Sequence, residues 1–204
     1  GLPMVSSSNS VPPGGQTYGD VDLTHLFGGS GGGGGNERSG GAGGGALKIV
    51  AGGNLTIGGS IHAIGGKGGA RPNEARRSGG SGSGGAIYLK GKKVVIKQGV
   101  TIRADGGDGA PGITGGNTNS SDGGGNGAAA GGGGRIFLEA LESLVNYESA
   151  TNANFTAAGG LSPGARHGEP GTVKILRPQV KELVFNAGSL TIDTDKGTIN
   201  HSAG

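Results

Sequence analysis

The residues best suited to do chemistry in this chain are two aspartates and an arginine that lie close together. Asp105 and Asp108 occupy one glycine-rich turn, and Arg103 precedes them. A polysaccharide lyase or hydrolase needs clustered carboxylates or basic groups on one face, and no other part of the chain comes nearer to such a cluster. Solvated side chains on a turn explain the same residues, so we predict that the protein is not an enzyme and has no catalytic residues.

The same turn contains a fragment of a calcium-binding sequence pattern. Asp105-Gly-Gly-Asp108-Gly matches part of a Gly/Asp nonapeptide that works by tandem repetition, because each ion is shared between successive turns. Here the fragment occurs once, since the corresponding turns read Ile64-Gly-Gly-Lys67 and Ala158-Gly-Gly-Leu161. We therefore predict no metal site and no cofactor, with Asp105 and Asp108 as the calcium candidates if one exists.

Other reactive groups are scattered or missing. Histidines occur only at positions 25, 62, 167 and 201, and the chain has no cysteine, so neither a zinc site nor a thiol nucleophile is indicated. The net charge is +3, with two modest basic groups. These groups are Lys90, Lys92, Lys93 and Lys97, and Arg71, Arg76 and Arg77. We interpret them as solvated faces, with contact to an anionic glycan as the alternative.

Two classes of partner are excluded by composition. The chain has four phenylalanines, three tyrosines and no tryptophan, too few aromatic rings to stack on single-stranded nucleic acid. No apolar run approaches the ~20 residues of a membrane-spanning helix. We therefore predict neither nucleic-acid binding nor membrane insertion.

Glycine and the large apolar residues occupy different parts of the chain. Of 204 residues, 53 are glycine, but few of these glycines lie in the four blocks 46–64, 86–104, 135–157 and 172–199. Most of the Leu, Ile, Val and Phe residues lie in those blocks. An average composition close to that of a disordered chain therefore conceals apolar islands that alternate with glycine-rich runs.

The four blocks are copies of one repeat, with starts near residues 46, 86, 135 and 172. Each opens with a period-two alternation that is typical of a strand with one buried face. The predicted inward ladder is Leu47 and Ile49, Ile87 and Leu89, Ile136 and Leu138, and Val173 and Ile175. The outward positions begin with Lys48, Tyr88, Phe137 and Lys174. A second apolar pair follows in each block, at Leu55/Ile57, Val94/Ile96, Leu144/Val145 and Leu183/Phe185.

A third short strand ends in a recurring Ala-x-Gly-Gly. The predicted tight corners are Ala63, Gly65 and Gly66, then Ala104, Gly106 and Gly107, then Ala157, Gly159 and Gly160. Alanine at the same offset in three repeats suggests a narrow inward corner that admits only a methyl group, and the paired glycines suit a turn with positive φ. The fourth block ends at 190–193 without the glycine pair, as a terminal repeat does.

Repeats of three short strands predict an all-β fold, a right-handed parallel β-solenoid of about four rungs. A β-sandwich of short hairpins is the alternative fold, and a short helix around 138–145 is the alternative for the third block. Residues 46–204 would form the four-repeat solenoid. Residues 1–45 would form an N-terminal cap and glycine-rich lead, with Tyr18 and the apolar patch 23–27 covering the open edge of the first rung.

The glycine-rich runs need a physical reason to be ordered, because glycine loses more conformational entropy on folding than any other residue. We expect extended, polyglycine II-like segments that hydrogen-bond to several neighbours, with loose surface loops as the alternative. In a packed arrangement a side chain at a central position such as Gly132 would be badly tolerated.

Two further patterns concern the surface. Thr56, Thr101, Thr156 and Thr191 recur once per repeat, and a single rank of threonines suggests an ice-binding face as an alternative function. Asn-x-Ser/Thr sequons occur at Asn54, Asn119, Asn154 and Asn200 and predict N-glycosylation of a secreted glycoprotein.

These motifs resemble a glycine-rich β-solenoid region of large secreted and cell-surface proteins of bacteria, plants and unicellular eukaryotes. The resemblance is carried by Gly-Gly-Ala-Leu-Lys-Ile (44–49), by Ile-His-Ala-Ile-Gly-Gly (61–66) and by the glycine run that leads into Arg135-Ile-Phe-Leu. Phage adhesins with polyglycine II bundles are a weaker analogy. The resemblance implies an extracellular structural or adhesive module without catalytic residues.

The resulting expectation is a non-enzymatic extracellular protein, with a glycan- or ice-binding module as the rival and a polysaccharide-active enzyme as the third class. Because a stack of parallel strands has open ends, we also expect self-association into a fibre or surface layer, or binding to other extracellular proteins. In such a fibre the block 172–200 would meet residues 1–45 of the next copy.

Overall fold

The regular elements among the described residues are all β-strands. The structure, a computed structural model, describes residues 19–34, 38–69, 79–110, 128–146, 154–162, 167–178, 189–193 and 198–202, with the backbone alone for the last two ranges and for Asn146. The strands are β1 (Ala46–Val50), β2 (Leu55–Ile57), β3 (Ile61–His62), β4 (Ala86–Ile96), β5 (Ile102–Arg103), β6 (Arg135–Asn146), β7 (Phe155–Thr156), β8 (Thr172–Leu176), β9 (Ser189–Asp193) and β10 (Thr198–Ser202). The described residues contain no helix, and thus none long and apolar enough to cross a membrane.

Strands from successive repeats pair in parallel. One sheet has the order β1-β4-β6-β8, with β2 also pairing with β4, and a second sheet has the order β3-β5-β7. The predicted all-β class with parallel strands is therefore confirmed. A sandwich of short hairpins would instead pair its consecutive strands antiparallel.

The register places equivalent residues of the repeats side by side. Leu47, Ile87, Ile136 and Val173 form one column, and Ile49, Leu89, Leu138 and Ile175 form the next. The inner members are fully covered, with Ile87 0% and Ile136 1% exposed, whereas Leu47 is 38% and Val173 41% exposed. A residue of this ladder is therefore fully buried only where its strand has a neighbouring strand on both sides. The end strands of the sheet, β1 and β8, each have a neighbour on one side.

Residues 135–146 form one long strand. β6 pairs with β4 along its length, with a register shift between Gly91 and Lys93. The helical alternative for 138–145 is thus wrong, because the parallel neighbours β4 and β8 supply hydrogen-bond partners that override the helix-forming residues.

The fourth repeat departs from the other three after its first strand. β8 joins the parallel sheet, but β9 pairs antiparallel with β10, with Asp193 opposite Thr198. This hairpin replaces the expected parallel third strand. The predicted second strand at Leu183/Phe185 lies outside the described residues.

The N-terminal segment packs elsewhere than on the open edge of the first repeat. Leu23 is buried against Ala86 and Phe137, with Leu26 and Tyr88 beside them. These contacts lie on the outer face of the second and third repeats, and not at the open edge of the first repeat, where the sequence suggested a cap. Tyr18 lies outside the described residues. The stacked rings of Tyr88 and Phe137 supply the apolar surface that Leu23 contacts.

The glycine-rich runs form a backbone hydrogen-bonded assembly. We call 28–34 the lead segment. Four glycine-rich runs precede β1, β4, β6 and β8, and we call them the return segments (38–45, 79–85, 128–134 and 167–171). Three further runs follow β3, β5 and β7, and we call them the exit segments (63–69, 104–110 and 157–162). In the return segment 79–85 every third N–H donates to the same neighbour: residues 79, 82 and 85 to an exit segment, 80 and 83 to the lead segment, and 81 and 84 to the next return segment. A period of three is that of an extended left-handed helix.

Glycine is required in these segments because backbones meet where a side chain would begin. A Cβ at Gly84 would lie 1.9 Å from the carbonyl oxygen of Ala104, and one at Gly106 would lie 2.0 Å from that of Gly131. The expected positive φ at the corner glycine pairs is wrong, since among the described glycines only Gly19 and Gly99 have it. Close approach, and not turn geometry, selects glycine at these corners.

Gly132, which the sequence suggests as a crowded position, has room for a side chain. The nearest atom to a Cβ there is the carbonyl oxygen of Glu169 at 3.6 Å, an ordinary contact. Its neighbour Gly131 has no room for a side chain, because a Cβ would lie 1.8 Å from the carbonyl oxygen of Gly82. Packing is therefore selective by position within the threefold period.

We predict opposite effects for Gly131→Ala and Gly132→Ala. The first should lower the free energy of unfolding by about 1–3 kcal/mol or more, because backbone atoms must separate to admit the methyl group. The second should be neutral or stabilising by up to about 1 kcal/mol, because alanine restricts the unfolded chain. Chemical denaturation of both variants measures the difference, and equal losses would contradict position-specific packing.

Candidate functional site

Asp105 is a buried carboxylate that joins two repeats. It is 6% exposed, and Arg103 donates to its Oδ2 from Nε at 2.7 Å, with Nη2 2.6 Å away. The hydroxyl of Thr156 lies 3.1 Å from the same oxygen, and the N–H of Ala158 donates to Oδ1 at 2.8 Å. Arg103 belongs to the second repeat, and Thr156 and Ala158 belong to the third, so the carboxylate bridges them.

Asp108 makes a second bridge nearer the surface. Its Oδ1 accepts the N–H of Leu161 at 3.0 Å, and its Oδ2 lies 3.4 Å from the ammonium group of Lys67. The Leu161 N–H, and then Lys67, hold the pKa of this carboxyl below its usual value. Lys67, Asp108 and Leu161 occupy the same position of three successive repeats, so the aspartate joins both neighbours.

The two aspartates accept hydrogen bonds from different donors. Each is directed to its own set of donors in the adjacent repeats. Across the described ranges no group of three or more His, Asp and Glu side chains is arranged to hold a metal ion. The cluster that the sequence singles out is therefore a set of connections between repeats.

Buried hydroxyl and amide groups also join neighbouring segments, and nothing in the sequence pattern assigned them this role. Ser81 donates to the carbonyl oxygen of Asp108 at 2.6 Å, and Ser162 donates to that of Ala128 at 2.7 Å. Asn154 donates to the carbonyl oxygen of Val100 at 3.3 Å. Isolated Ser residues within glycine runs are the one signal that could have identified the first two.

The two sequon asparagines whose side chains are described differ in burial. Asn54 is exposed, whereas Asn154 is 6% exposed and hydrogen-bonded inside, so the folded structure leaves no room for a glycan on Asn154. Neither Asn119 nor the side chain of Asn200 is among the described groups. The sequon pattern cannot distinguish the two cases, because it contains no information on burial.

The outward column of the main sheet is a stack of two rings between two lysines. Tyr88 and Phe137 lie parallel with ring centroids 5.1 Å apart. The Lys48 ammonium lies 4.8 Å from the Tyr88 centroid, and that of Lys174 lies 5.7 Å from the Phe137 centroid. Lys174 also pairs with Asp22 of the N-terminal segment, which fastens that segment over the rings.

Two of the four lysines of the basic group on β4 and the turn after it are paired with acidic residues. Lys90 lies 2.8 Å from Glu139, and Lys92 lies 3.8 Å from Glu142 on the adjacent strand. The hydrogen bond to Glu139 raises the pKa of Lys90 above its usual value. Lys93 and Lys97 are exposed, and Arg71, Arg76 and Arg77 lie outside the described residues.

The threonines of the repeat do not form a rank. Thr56 pairs with Val95, whereas Thr156 pairs with Arg103. Thr101 lies beside Ser60, whose hydroxyl accepts its N–H at 3.0 Å. The regular Thr spacing that an ice-binding face requires is therefore missing from the first three repeats.

The histidines also act locally. His62 Nε2 lies 2.9 Å from the Thr101 hydroxyl, and His167 Nδ1 accepts the N–H of Ser162 at 3.0 Å. His25 Nδ1 lies 3.2 Å from the hydroxyl of Thr24. These three rings are separate, and the side chain of His201 is not described.

Comparison with known proteins gives no family for this chain. No protein-family model matches it, and neither a curated protein nor a solved structure matches it significantly. Its function must therefore be argued from the geometry above.

We predict that Asp105→Ala lowers the free energy of unfolding by about 1.5–3 kcal/mol, because it removes a buried charged acceptor. The matched control is Asp22→Ala, which removes an exposed ion pair with Lys174 and should cost about 0–1 kcal/mol. Denaturant titration compares the two. A rise in the melting temperature of the wild type on adding calcium, lost in Asp105→Ala, would contradict a purely connecting role.

Asp108 should make the protein sensitive to acid. Because its folded-state pKa lies below the ordinary value of 3.8, the stability that it contributes is present above that value. This contribution is lost as the pH falls through the folded-state pKa. Between about pH 5 and about pH 2, the melting temperature of Asp108→Asn should fall less than that of the wild type. An equal fall in both proteins would show that other carboxyl groups cause the acid sensitivity.

Proposed function

We propose that this chain is a non-enzymatic structural module of an extracellular or cell-surface protein. In this proposal the parallel strands are the turns of a right-handed β-solenoid of about four rungs, and the glycine segments form a polyglycine II-like bundle along one side. The extracellular location rests on the motif resemblance described above.

The solenoid is supported by the constant register between repeats. Ala46, Ala86, Arg135 and Thr172 are aligned, and the same offsets hold along β1 and β8 and along β4 as far as Gly91. The second sheet repeats this arrangement, with Ile61, Ile102 and Phe155 in one column. Translation of one unit past the next is how a solenoid is built.

The observation that carries the proposed structural role is that the polar side chains hydrogen-bond to neighbouring repeats. The side chains with the best chemical potential, Asp105 and Asp108, accept backbone N–H groups from the next repeat. Buried Ser81 likewise joins the return segment 79–85 to the exit segments on either side of it. Because these groups are engaged in hydrogen bonds that hold the repeats together, they support a role as a scaffold.

The rival binding functions lack a comparable surface among the described residues. The threonines are out of register, and two of the four lysines of β4 and its following turn are paired with glutamates. We therefore assign the module to mechanical support or presentation.

Native-state hydrogen exchange tests this proposal. We predict that the amides of Gly84, Gly107 and Gly131 exchange only through global unfolding, as slowly as the core amides of Leu89 and Leu138, because each donates within the bundle. The control is the Gly59 amide, whose residue has open space around it and should exchange rapidly. Rapid exchange at the bundle glycines, with the sheet still protected, would show that the bundle has no supporting role.

A further inference from the structure

The ends of the stack differ from its interior at two positions of the return segments. The strand register aligns these segments residue by residue, because each one leads directly into an aligned strand residue. These residues are Ala46, Ala86, Arg135 and Thr172. Counting back four residues gives the column 42, 82, 131 and 168, and counting back two gives 44, 84, 133 and 170. In each column one end member is not glycine: Ala42 at the first repeat and Pro170 at the last.

In the first of these columns a Cβ would point at the preceding repeat. At Gly82 it would lie 2.0 Å from the carbonyl oxygen of Ala42, and at Gly131 and Gly168 it would lie 1.8 Å from the carbonyl oxygen of the preceding member. Ala42 is exposed and keeps its methyl group because the described chain has no repeat before it. A second copy that continued the stack there would place a carbonyl oxygen on that methyl group.

In the second column the backbone N–H points at the following repeat. Gly44, Gly84 and Gly133 each donate a backbone hydrogen bond to the next return segment, at 2.8–2.9 Å. A Cβ at these residues would lie 1.9–2.2 Å from a carbonyl oxygen of the exit segment of the same repeat, and 2.5–2.6 Å from a backbone nitrogen of the next return segment. Pro170 has a ring in that position and no N–H to donate.

We propose that Ala42 and Pro170 close the two ends of the glycine bundle to a second copy of the chain, so that the stack is finite. This inference rests on the proposed solenoid, and it replaces the fibre that the sequence suggests. The methyl group of Ala42 would meet backbone, which no rotamer change relieves, and Pro170 cannot donate the N–H that joins each return segment to the next.

Charge on the edge strands acts in the same direction. A continued sheet would place Lys174 of one copy directly opposite Lys48 of the next, following the register of β1, β4, β6 and β8. Like charges directly opposite destabilise strand pairing, and lysine on an edge strand discourages it. The lysines therefore oppose the attraction of the exposed apolar residues on the same edges, Leu47 and Val50 on β1 and Val173 and Leu176 on β8.

The test is to remove the obstacles and look for assembly. The variant Ala42→Gly/Pro170→Gly/Lys48→Glu restores both glycines and gives Lys174 an opposite charge to meet. The matched control, Ala158→Gly/Pro178→Gly/Lys93→Glu, makes the same kinds of substitution away from these columns. Sedimentation velocity over a concentration series measures association, and circular dichroism with thermal melting establishes that each protein is folded.

We expect the wild type and the control to sediment as one monomeric species. The triple variant should self-associate at a concentration at least about tenfold lower than either, a change of about 1.4 kcal/mol in association free energy. Wild-type assembly at the same concentrations as the variant, or a folded variant that stays monomeric, would overturn the proposal. Neither result depends on the exchange rates of the bundle amides, so failure here is distinguishable from failure of the structural role.

Discussion

The close approach of glycine backbones is the constraint on which the rest of this structure depends. Carbonyl oxygens lie about where a Cβ would stand, 1.9 Å away at Gly84 and 2.0 Å at Gly106, so each segment can hydrogen-bond in three directions at once. Ordering so many glycines costs conformational entropy, and the hydrogen bonds formed by otherwise orphaned backbone groups offset it. The sheet and the bundle stabilise each other, because every return segment leads directly into a strand of the parallel sheet.

Side chains occur in the bundle only where that constraint is relaxed. Asp105 and Asp108 occupy positions from which a carboxylate reaches the N–H groups of the next repeat. Ser81 and Ser162 are small enough to be buried, and their hydroxyl groups donate to backbone carbonyls. Polar residues that would indicate a catalytic site on another scaffold thus join neighbouring repeats here.

The same constraint gives the stack two ends. Interior members of the crowded columns are glycine, whereas Ala42 and Pro170 stand where the described chain offers no further repeat. The apolar ladder shows the end effect in another way, since its first and last members are partly exposed. On the outer face, the N-terminal segment covers the ring stack of Tyr88 and Phe137 and leaves the edge of β1 open.

The sequence by itself determined the repeat, its strand alternation and the all-β class, because period-two patterning requires no long-range information. It also indicated that the glycine runs pack, but it assigned the corner glycines to positive φ and chose Gly132 as a crowded position. Only the tertiary structure decided those points, since the space around a backbone atom depends on segments distant in sequence. The burial of Asn154, the antiparallel pairing of β9 with β10 and the roles of Asp105 and Asp108 were decided in the same way. Each depends on which neighbour a residue meets in the next repeat, and local pattern does not contain that contact.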